Sequence, residues 1–266
     1  MNPYFTLEKP KVIESVEELF SLNIRRVYYR PGDETPITDQ MNYYSIPHST
    51  SGIFRGQLCD WPLVPKSFRG ITPTRESSQP SGVQKMHSYY SATRKFRQFC
   101  ERAEVQNPDF PSAVSDRMSI AQHFGVNTPL LDWSQNILAA AFFATRDVYT
   151  DPKFEEHLKV FIYHIVDERH LHEEIPEESK LAEFGQSAYV KPHHIDKRIE
   201  RQGGVFTYHP HPILAPPKIP VCVYVLEEWG VIDKLRKMME GFGFKEDYFF
   251  PDYAGIARAV KSETSL

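Results

Sequence analysis

The feature that most constrains this chain is an apolar block near its middle, where a short strand pattern runs into a helix pattern. Residues 137–144 read Ile-Leu-Ala-Ala-Ala-Phe-Phe-Ala, without glycine or proline, and such an alanine-rich run predicts a buried helix. Ser134 or Asn136 can cap its first turn. Just before it, Pro129 disfavours helical backbone at the preceding residue, which predicts an extended segment over residues 129–133.

One acidic residue lies inside this predicted strand. Asp132 stands between Leu131 and Trp133, and a carboxylate among such neighbours is costly to bury unless a cation or several donors accompany it. Arg55, near the end of a strand predicted over residues 51–57, is a candidate partner. An Arg55–Asp132 pair is either a buried structural contact or part of a ligand site, because a guanidinium also binds phosphates and carboxylates.

Four polar side chains close to Asp132 in sequence extend the candidate site: Gln122, His123, Thr128 and Ser134. His123 falls at a predicted helix end, where a capping role and a chemical role are both open. Further along, residues 198–207 read RIERQGGVFT and place Gln202 before two glycines. Those glycines allow either close approach to a ligand or a tight helix-to-strand turn.

The rest of the chain mixes helix and strand patterns irregularly. Helices are predicted over residues 12–22, 84–104, 112–124, 192–201, 229–240 and 247–260. Strands are predicted over residues 159–166, 187–190, 202–208 and 220–226. Residues 1–11 are predicted to be an irregular lead-in, 31–38 a loop and 71–82 a linker-like segment. Without strict βαβ alternation, the pattern indicates an α+β fold. We expect a single compact domain with a mixed or antiparallel β-sheet flanked by helices, a split sheet being one form of it.

Composition limits the classes of function. The chain carries 31 basic and 35 acidic residues, so bulk charge does not favour nucleic acid and a local basic groove would be needed. Its three cysteines are scattered without a C-x-x-C motif, which argues against a disulfide framework or a cysteine zinc site and predicts a reducing cytoplasm. The histidine spacings match no metal pattern, so no metal is expected. Neither a signal peptide nor a membrane span is predicted.

Several motifs together resemble the FRG domain, a family named after its Phe-Arg-Gly motif. They are FRGQ at 54–57, LVPKSFR at 63–69, QHFGVNTPLLDWS at 122–134, NILAAAFFA at 136–144, RIERQGGVFT at 198–207 and FFPDYAGIA at 249–257. The resemblance implies an FRG domain over residues 51–266, preceded by a lead-in with a helix over residues 1–50 that packs on it. The family is associated with bacterial and phage genomes, which implies a toxin or phage-defence role.

A second similarity, to the ADP-ribosyltransferase fold, implies a mechanism. That fold begins its site with an aromatic-Arg-Gly strand, continues with a short polar strand and an A-x-x-F-A helix, and ends with an acid or amide. On this resemblance Arg55 holds the pyrophosphate of NAD, and Asp132 or Ser134 binds the nicotinamide ribose or orients Arg55. Gln202 stands where transferases usually carry Glu. The implied cofactor-binding positions are Phe54, Gly56, Gln122, His123, Thr128, Trp133, Ser134 and Phe206.

Three functions are therefore open. The first is an NAD-dependent, ADP-ribosyltransferase-like enzyme of a conflict system, with an unknown protein or nucleic-acid acceptor. The second is a non-catalytic ligand- or protein-recognition module, in which Arg55 and Asp132 form a buried structural pair. The third is an enzyme acting on nucleotide or nucleic-acid phosphates through Arg55, His123 and the basic helix from Lys85 to Arg102.

Overall fold

A mixed eight-stranded β-sheet organises the fold. The computed structural model of the chain describes residues 2–24, 52–69, 82–149, 159–193 and 197–263. Its strands are β1 (Phe5–Leu7), β2 (Lys11–Val12), β3 (Ile53–Gln57), β4 (Leu130–Ser134), β5 (Val160–Ile165), β6 (Ala188–Val190), β7 (Gly204–Tyr208) and β8 (Ile219–Leu226). Its helices are α1 (Val16–Ile24), α2 (Gly82–Gln106), α3 (Val114–His123), α4 (Ile137–Thr145), α5 (Lys197–Gln202), α6 (Trp229–Gly241), α7 (Glu246–Phe249) and α8 (Tyr253–Glu263). None of these described helices has the length and apolar content needed to cross a bilayer.

The strand order is β1-β8-β5-β3-β4-β7-β6, with β2 also paired to β8. Strands β1 and β2 run parallel to β8, whereas the other described neighbours are antiparallel. The prediction of an α+β fold with a mixed sheet is therefore confirmed. The order also places β3 and β4, which carry Arg55 and Asp132, side by side in the middle of the sheet.

The contact between β3 and β4 is the narrowest in this sheet. Strand β3 pairs with β5 along its whole length, from Ile53 opposite Ile165 to Gln57 opposite Phe161. Its register with β4 consists of a single pair, Phe54 opposite Ser134. Beyond that pair no further residues of the two strands are paired, so the ladder that joins the two halves of the sheet has a gap there.

Helix α4 packs directly on β3, and small residues on both elements allow this. Asn136 caps the helix, as predicted, since its side chain accepts a hydrogen bond from the Leu138 N–H at 2.9 Å. The side chains of Ala139, Ala140, Ala141 and Ala144 are almost completely buried. A Cβ added to Gly56 would overlap the main-chain carbonyl of Ala140. Glycine is therefore required at this position by the close approach of helix and strand.

Three predictions from sequence are wrong in detail. The lead-in predicted to be irregular over residues 1–11 contains β1 and the start of β2. These strands span three and two residues, too few for a periodic pattern. The first helix begins at Val16, because Val12 belongs to β2. The helix predicted over residues 247–260 is interrupted around Pro251, which separates α7 from α8.

The remaining predicted helices and strands agree with the observed ones to within a few residues. The helix predicted over residues 192–201 is described as a helix from Lys197 onwards, as α5. The loop predicted over residues 31–38 and the linker-like residues 71–81 lie outside the described residues.

A completely buried histidine joins the β7 side of the sheet to the N-terminal segment. The Nδ1 atom of His209 lies 3.0 Å from Ser187 Oγ and its Nε2 atom lies 2.7 Å from Thr207 Oγ1. Thr207 Oγ1 also accepts the indole N–H of Trp133 at 2.8 Å, and the ring of Tyr4 lies 4.6 Å from the imidazole. Burial lowers the pKa of His209 to about 3, so the folded protein holds this ring in its neutral form.

The Gly56→Ala variant tests the close approach of β3 and α4. We expect it to lower the free energy of unfolding by about 1–3 kcal/mol, because the added methyl group forces the helix and strand apart. Gly241→Ala is the matched control, since no described atom lies within 4 Å of the Cβ position at Gly241. Urea unfolding compares the two variants, and equal stabilities would contradict the contact.

Acidification should weaken the fold through His209. Its folded pKa of about 3 lies below the ordinary value near 6.5, so between these pH values the unfolded chain binds a proton that the folded chain does not. Stability is therefore lost as pH falls below about 6.5, by at most ~1.4 kcal/mol per pH unit. Urea unfolding at pH 7.0 and 5.5 should show a smaller loss for His209→Gln than for the exposed-site control His170→Gln. An identical loss in both variants would rule out this cause.

Candidate functional site

Arg55 reaches into the gap where β3 and β4 separate. Its Nε donates to Gln57 Oε1 at 3.0 Å, and its Nη1 donates to the main-chain carbonyl of Asp132 at 2.6 Å. Gln57 in turn donates through Nε2 to the carbonyl of Trp61 at 2.9 Å. The Nη2 atom makes no hydrogen bond within the described part of the chain, and the Arg55 side chain is 17% exposed. The guanidinium is thus held in place with one edge available to an anion.

The carboxylate of Asp132 lies beside this guanidinium but faces solvent. Its Oδ2 atom is 3.7 Å from Arg55 Nη1, and its side chain is 59% exposed. The Nε2 atom of Gln122 lies 3.3 Å from both carboxylate oxygens. Thr128 fixes Gln122 by donating its hydroxyl to Gln122 Oε1 at 2.7 Å. Asp132 therefore has the cationic and amide partners that its setting requires, yet the pair is not sealed in a dry interior.

A second guanidinium, that of Arg69, lies near the first. Its Nε donates to the carbonyl of Val64 at 3.2 Å. The pKa of Arg69 is lowered mainly by its partial burial and further by the positive charge of Arg55, while Asp132 opposes this shift. Two guanidinium groups, those of Arg55 and Arg69, therefore act on the region of the Asp132 carboxylate. Two planar guanidinium groups close together can bind an anionic ligand.

Comparison with known proteins identifies the family of this segment. A family model described as FRG domain matches residues 50–153. The chain contains an FRG domain. The match includes β3, α3, β4 and α4, and with them the Arg55–Asp132 site. No curated protein and no solved structure matches the chain significantly. Strands β5 and β7, which flank the matched pair, lie beyond the match, so the FRG strands form part of a larger sheet.

Each residue of the FRG motif has its own role in the structure. Phe54 is completely buried and stacks on the ring of His164 at a centroid distance of 4.1 Å. Arg55 reaches across the gap to β4. Gly56 lets α4 approach the strand. The motif therefore combines a core aromatic residue, a cation at the gap and a close helix contact in three successive residues.

Two further residues predicted to bind a cofactor, Trp133 and Phe206, lie in the apolar core. Trp133 is 3% exposed and uses its indole N–H for the bond to Thr207. Phe206 is 5% exposed and packs in the apolar cluster formed with residues of α2 and α3. Both residues support β4 and β7, and a direct contact between them and a cofactor stays a prediction.

Gln202 lies near Ser134 at the end of β4, whereas Gln122 lies near the start of this strand and contacts Asp132. The hydroxyl of Ser134 lies 2.5 Å from the main-chain carbonyl of Gln202, which brings the two residues together. The side-chain amide of Gln202, however, donates to the carbonyl of Phe249 at 3.0 Å. It makes no hydrogen bond to Arg55 or Asp132 within the described residues. Its predicted catalytic role stays a prediction.

His123 is the last residue of α3, as its predicted place at a helix end required. Its ring is half-buried and lies edge-on to Phe124 at 5.0 Å. Across the described ranges, no three His, Cys, Asp or Glu side chains come together in a way that could hold a metal ion.

Sequence reasoning missed the loop that follows β3. In this loop, Asp60 accepts from Tyr163, which stands opposite Arg55 on β5, and the carbonyl of Trp61 accepts from Gln57. The later Arg69 lies close enough to Arg55 for the two charges to interact. Part of the signal was present in the FRGQ and LVPKSFR motifs, which contain Gln57 and Arg69. The position of Asp60 had no such signal, because it depends on a hydrogen bond from a strand a hundred residues away in sequence.

Replacing Asp132 by alanine tests whether the pair is structural. Because its carboxylate is mostly exposed, we expect Asp132→Ala to change the free energy of unfolding by less than about 1 kcal/mol. Asp116 is the contrast, because its buried carboxylate accepts the His193 main-chain N–H at 2.8 Å. Asp116→Ala should cost about 1–3 kcal/mol. A loss of about 3–5 kcal/mol for Asp132→Ala would instead support a buried structural pair.

Proposed function

We propose that this FRG-domain protein binds NAD and acts as an ADP-ribosyltransferase-like enzyme. The proposal is carried by the fixed guanidinium of Arg55, which stands at the gap between β3 and β4 with an available edge. The exposed carboxylate of Asp132 lies beside it. A preset cation next to an accessible acid is the arrangement that gripping and cleaving a dinucleotide requires.

The residues present suit the pyrophosphate of NAD. A pyrophosphate carries two negative charges close together, and the planar guanidinium offers paired donors to such oxygens. Arg55 supplies a guanidinium whose orientation is fixed by Gln57 and by the Asp132 carbonyl. Arg69 supplies a second one close enough for Arg55 to lower its pKa. Binding an anion between them would relieve the repulsion between these like charges.

Asp132 is the side chain best placed to act at the nicotinamide ribose. When nicotinamide leaves, positive charge develops on the ribose, and a nearby carboxylate stabilises it. Asp132 presents such a carboxylate, with Gln122 holding both of its oxygens. Gln202 would contribute only if its bond to Phe249 were broken on ligand binding. Residues of the apolar core then serve to hold β4 in place.

The biological setting follows from the resemblance of the motifs to proteins of bacterial and phage genomes. We infer a role in a conflict system, as a toxin or a phage-defence effector. The acceptor of ADP-ribose would be a protein or a nucleic acid of the opposing party. The alternative of a recognition module differs in one respect, which is that it binds its ligand without consuming it.

Arg55→Ala and Arg55→Lys test the proposal. We expect Arg55→Ala to weaken NAD binding at least about tenfold, because a charge-assisted hydrogen bond is lost. Arg55→Lys should restore little, because lysine lacks the planar fork. Arg169→Ala is the control, since Arg169 is 88% exposed and pairs only with its neighbour Asp167 among the described residues. Calorimetry measures binding and chromatography measures release of nicotinamide, with thermal melts confirming folded variants.

Two outcomes would count against this function. Absence of NAD binding by the unaltered protein at millimolar concentration would remove it altogether. Binding that depends on Arg55 but yields no nicotinamide would favour the recognition module over the enzyme.

A further inference from the structure

The loop that follows β3 carries Asp60 and Trp61, and Asp60 is held on the β5 side of Arg55, away from Asp132. Tyr163 stands opposite Arg55 in the β3–β5 register, and its hydroxyl donates to Asp60 Oδ1 at 2.9 Å. The adjacent Trp61 is held through its carbonyl by Gln57, the same side chain that accepts from Arg55 Nε. Gln57 thus ties the orientation of the guanidinium to the position of this loop.

Both loop side chains are accessible to a ligand. Asp60 is exposed, and within the described residues only its Oδ1 atom is hydrogen-bonded, which leaves Oδ2 as an acceptor. Tyr163 is completely buried. Burial raises the pKa of its hydroxyl, which therefore stays protonated and donates its hydrogen bond to Asp60. The indole of Trp61 is 43% exposed, so its ring face can be reached by a ligand.

We propose that Asp60 and Trp61 form the adenosine half of the ligand site, in which Asp60 accepts the ribose hydroxyls and Trp61 stacks on the base. This inference rests on the proposed function, because Arg55 and Arg69 hold the pyrophosphate between the two halves. The hydrogen bonds of Arg55 support this order of adenosine, pyrophosphate and nicotinamide ribose along the site. Its Nε donates to Gln57, which also donates to the carbonyl of Trp61, whereas its Nη1 donates to the carbonyl of Asp132.

The chemistry of the two side chains defines a substrate class. A carboxylate is an acceptor without donors, so it pairs well with the vicinal hydroxyls of a ribose and gains less from a deoxyribose. An exposed indole stacks on any base, so it adds affinity with little selectivity between bases. The ligand is therefore a ribonucleoside diphosphate derivative rather than a deoxyribonucleotide or a bare pyrophosphate.

Calorimetric titration of the full chain with ADP, 2′-deoxy-ADP and inorganic pyrophosphate tests the assignment. The unaltered protein should bind ADP about tenfold more tightly than 2′-deoxy-ADP, because one hydroxyl pairing is lost. Asp60→Asn should abolish this preference without changing pyrophosphate binding. Trp61→Ala should weaken both nucleotides about tenfold and leave pyrophosphate unchanged. Trp229→Ala is its control, because Trp229 is 44% exposed and contacts Tyr149 at the start of α6.

Tyr163 is a positioning residue, and its variant is tested by the ratio of the affinities for ADP and 2′-deoxy-ADP. Tyr163→Phe should reduce the preference for ADP over 2′-deoxy-ADP, because Asp60 loses the bond that orients it, whereas a purely structural role would leave the ratio intact. Equal binding of ADP and 2′-deoxy-ADP, or an unchanged preference in Asp60→Asn, would overturn the inference while the anion site stands. Failure of pyrophosphate, ADP and NAD alike to bind would instead remove the proposed function.

Discussion

The hydrogen bond from Arg55 to the main-chain carbonyl of Asp132 is the interaction on which the geometry of the candidate site depends. Strands β3 and β4 share one register pair, so a side chain takes the place of the next bond in the ladder. The guanidinium satisfies this carbonyl while keeping its own charge. The cation is thereby fixed at the place where the two halves of the sheet meet.

The opposite face of β3 explains why the cation is available there. Gly56 and the buried alanines of α4 bring the helix so close to the strand that no side chain fits between them at Gly56. The polar residues of β3, Arg55 and Gln57, lie on the other face of the strand together with Ile53, because alternate residues of a strand share a face. Packing on one side and a charged network on the other are thus consequences of one short motif.

The sequence predicted features that depend on neighbouring residues better than features that depend on residues far away in the chain. The strand-to-helix unit around Asp132 and Asn136 was predictable because capping and apolar patterning act over a few residues. The role of Asp60 was not predictable, because a hydroxyl from β5 places it. The amide of Gln202 is likewise directed by Phe249, forty-seven residues later. Side-chain direction at such positions is decided by tertiary partners, which no local pattern encodes.

The charge pattern around Arg55 fits the proposed dinucleotide better than a nucleic-acid strand. The exposed carboxylate of Asp132 lies beside Arg55 on β4, and that of Asp60 is held by Tyr163 on the β5 side. A dinucleotide has its negative charge in the middle and hydroxyl-rich riboses at both ends, so each part would meet a complementary group. A nucleic-acid strand would carry phosphates past both carboxylates, and that repulsion disfavours it. The net charge of −4 acts in the same direction, since long-range attraction of a polyanion is absent.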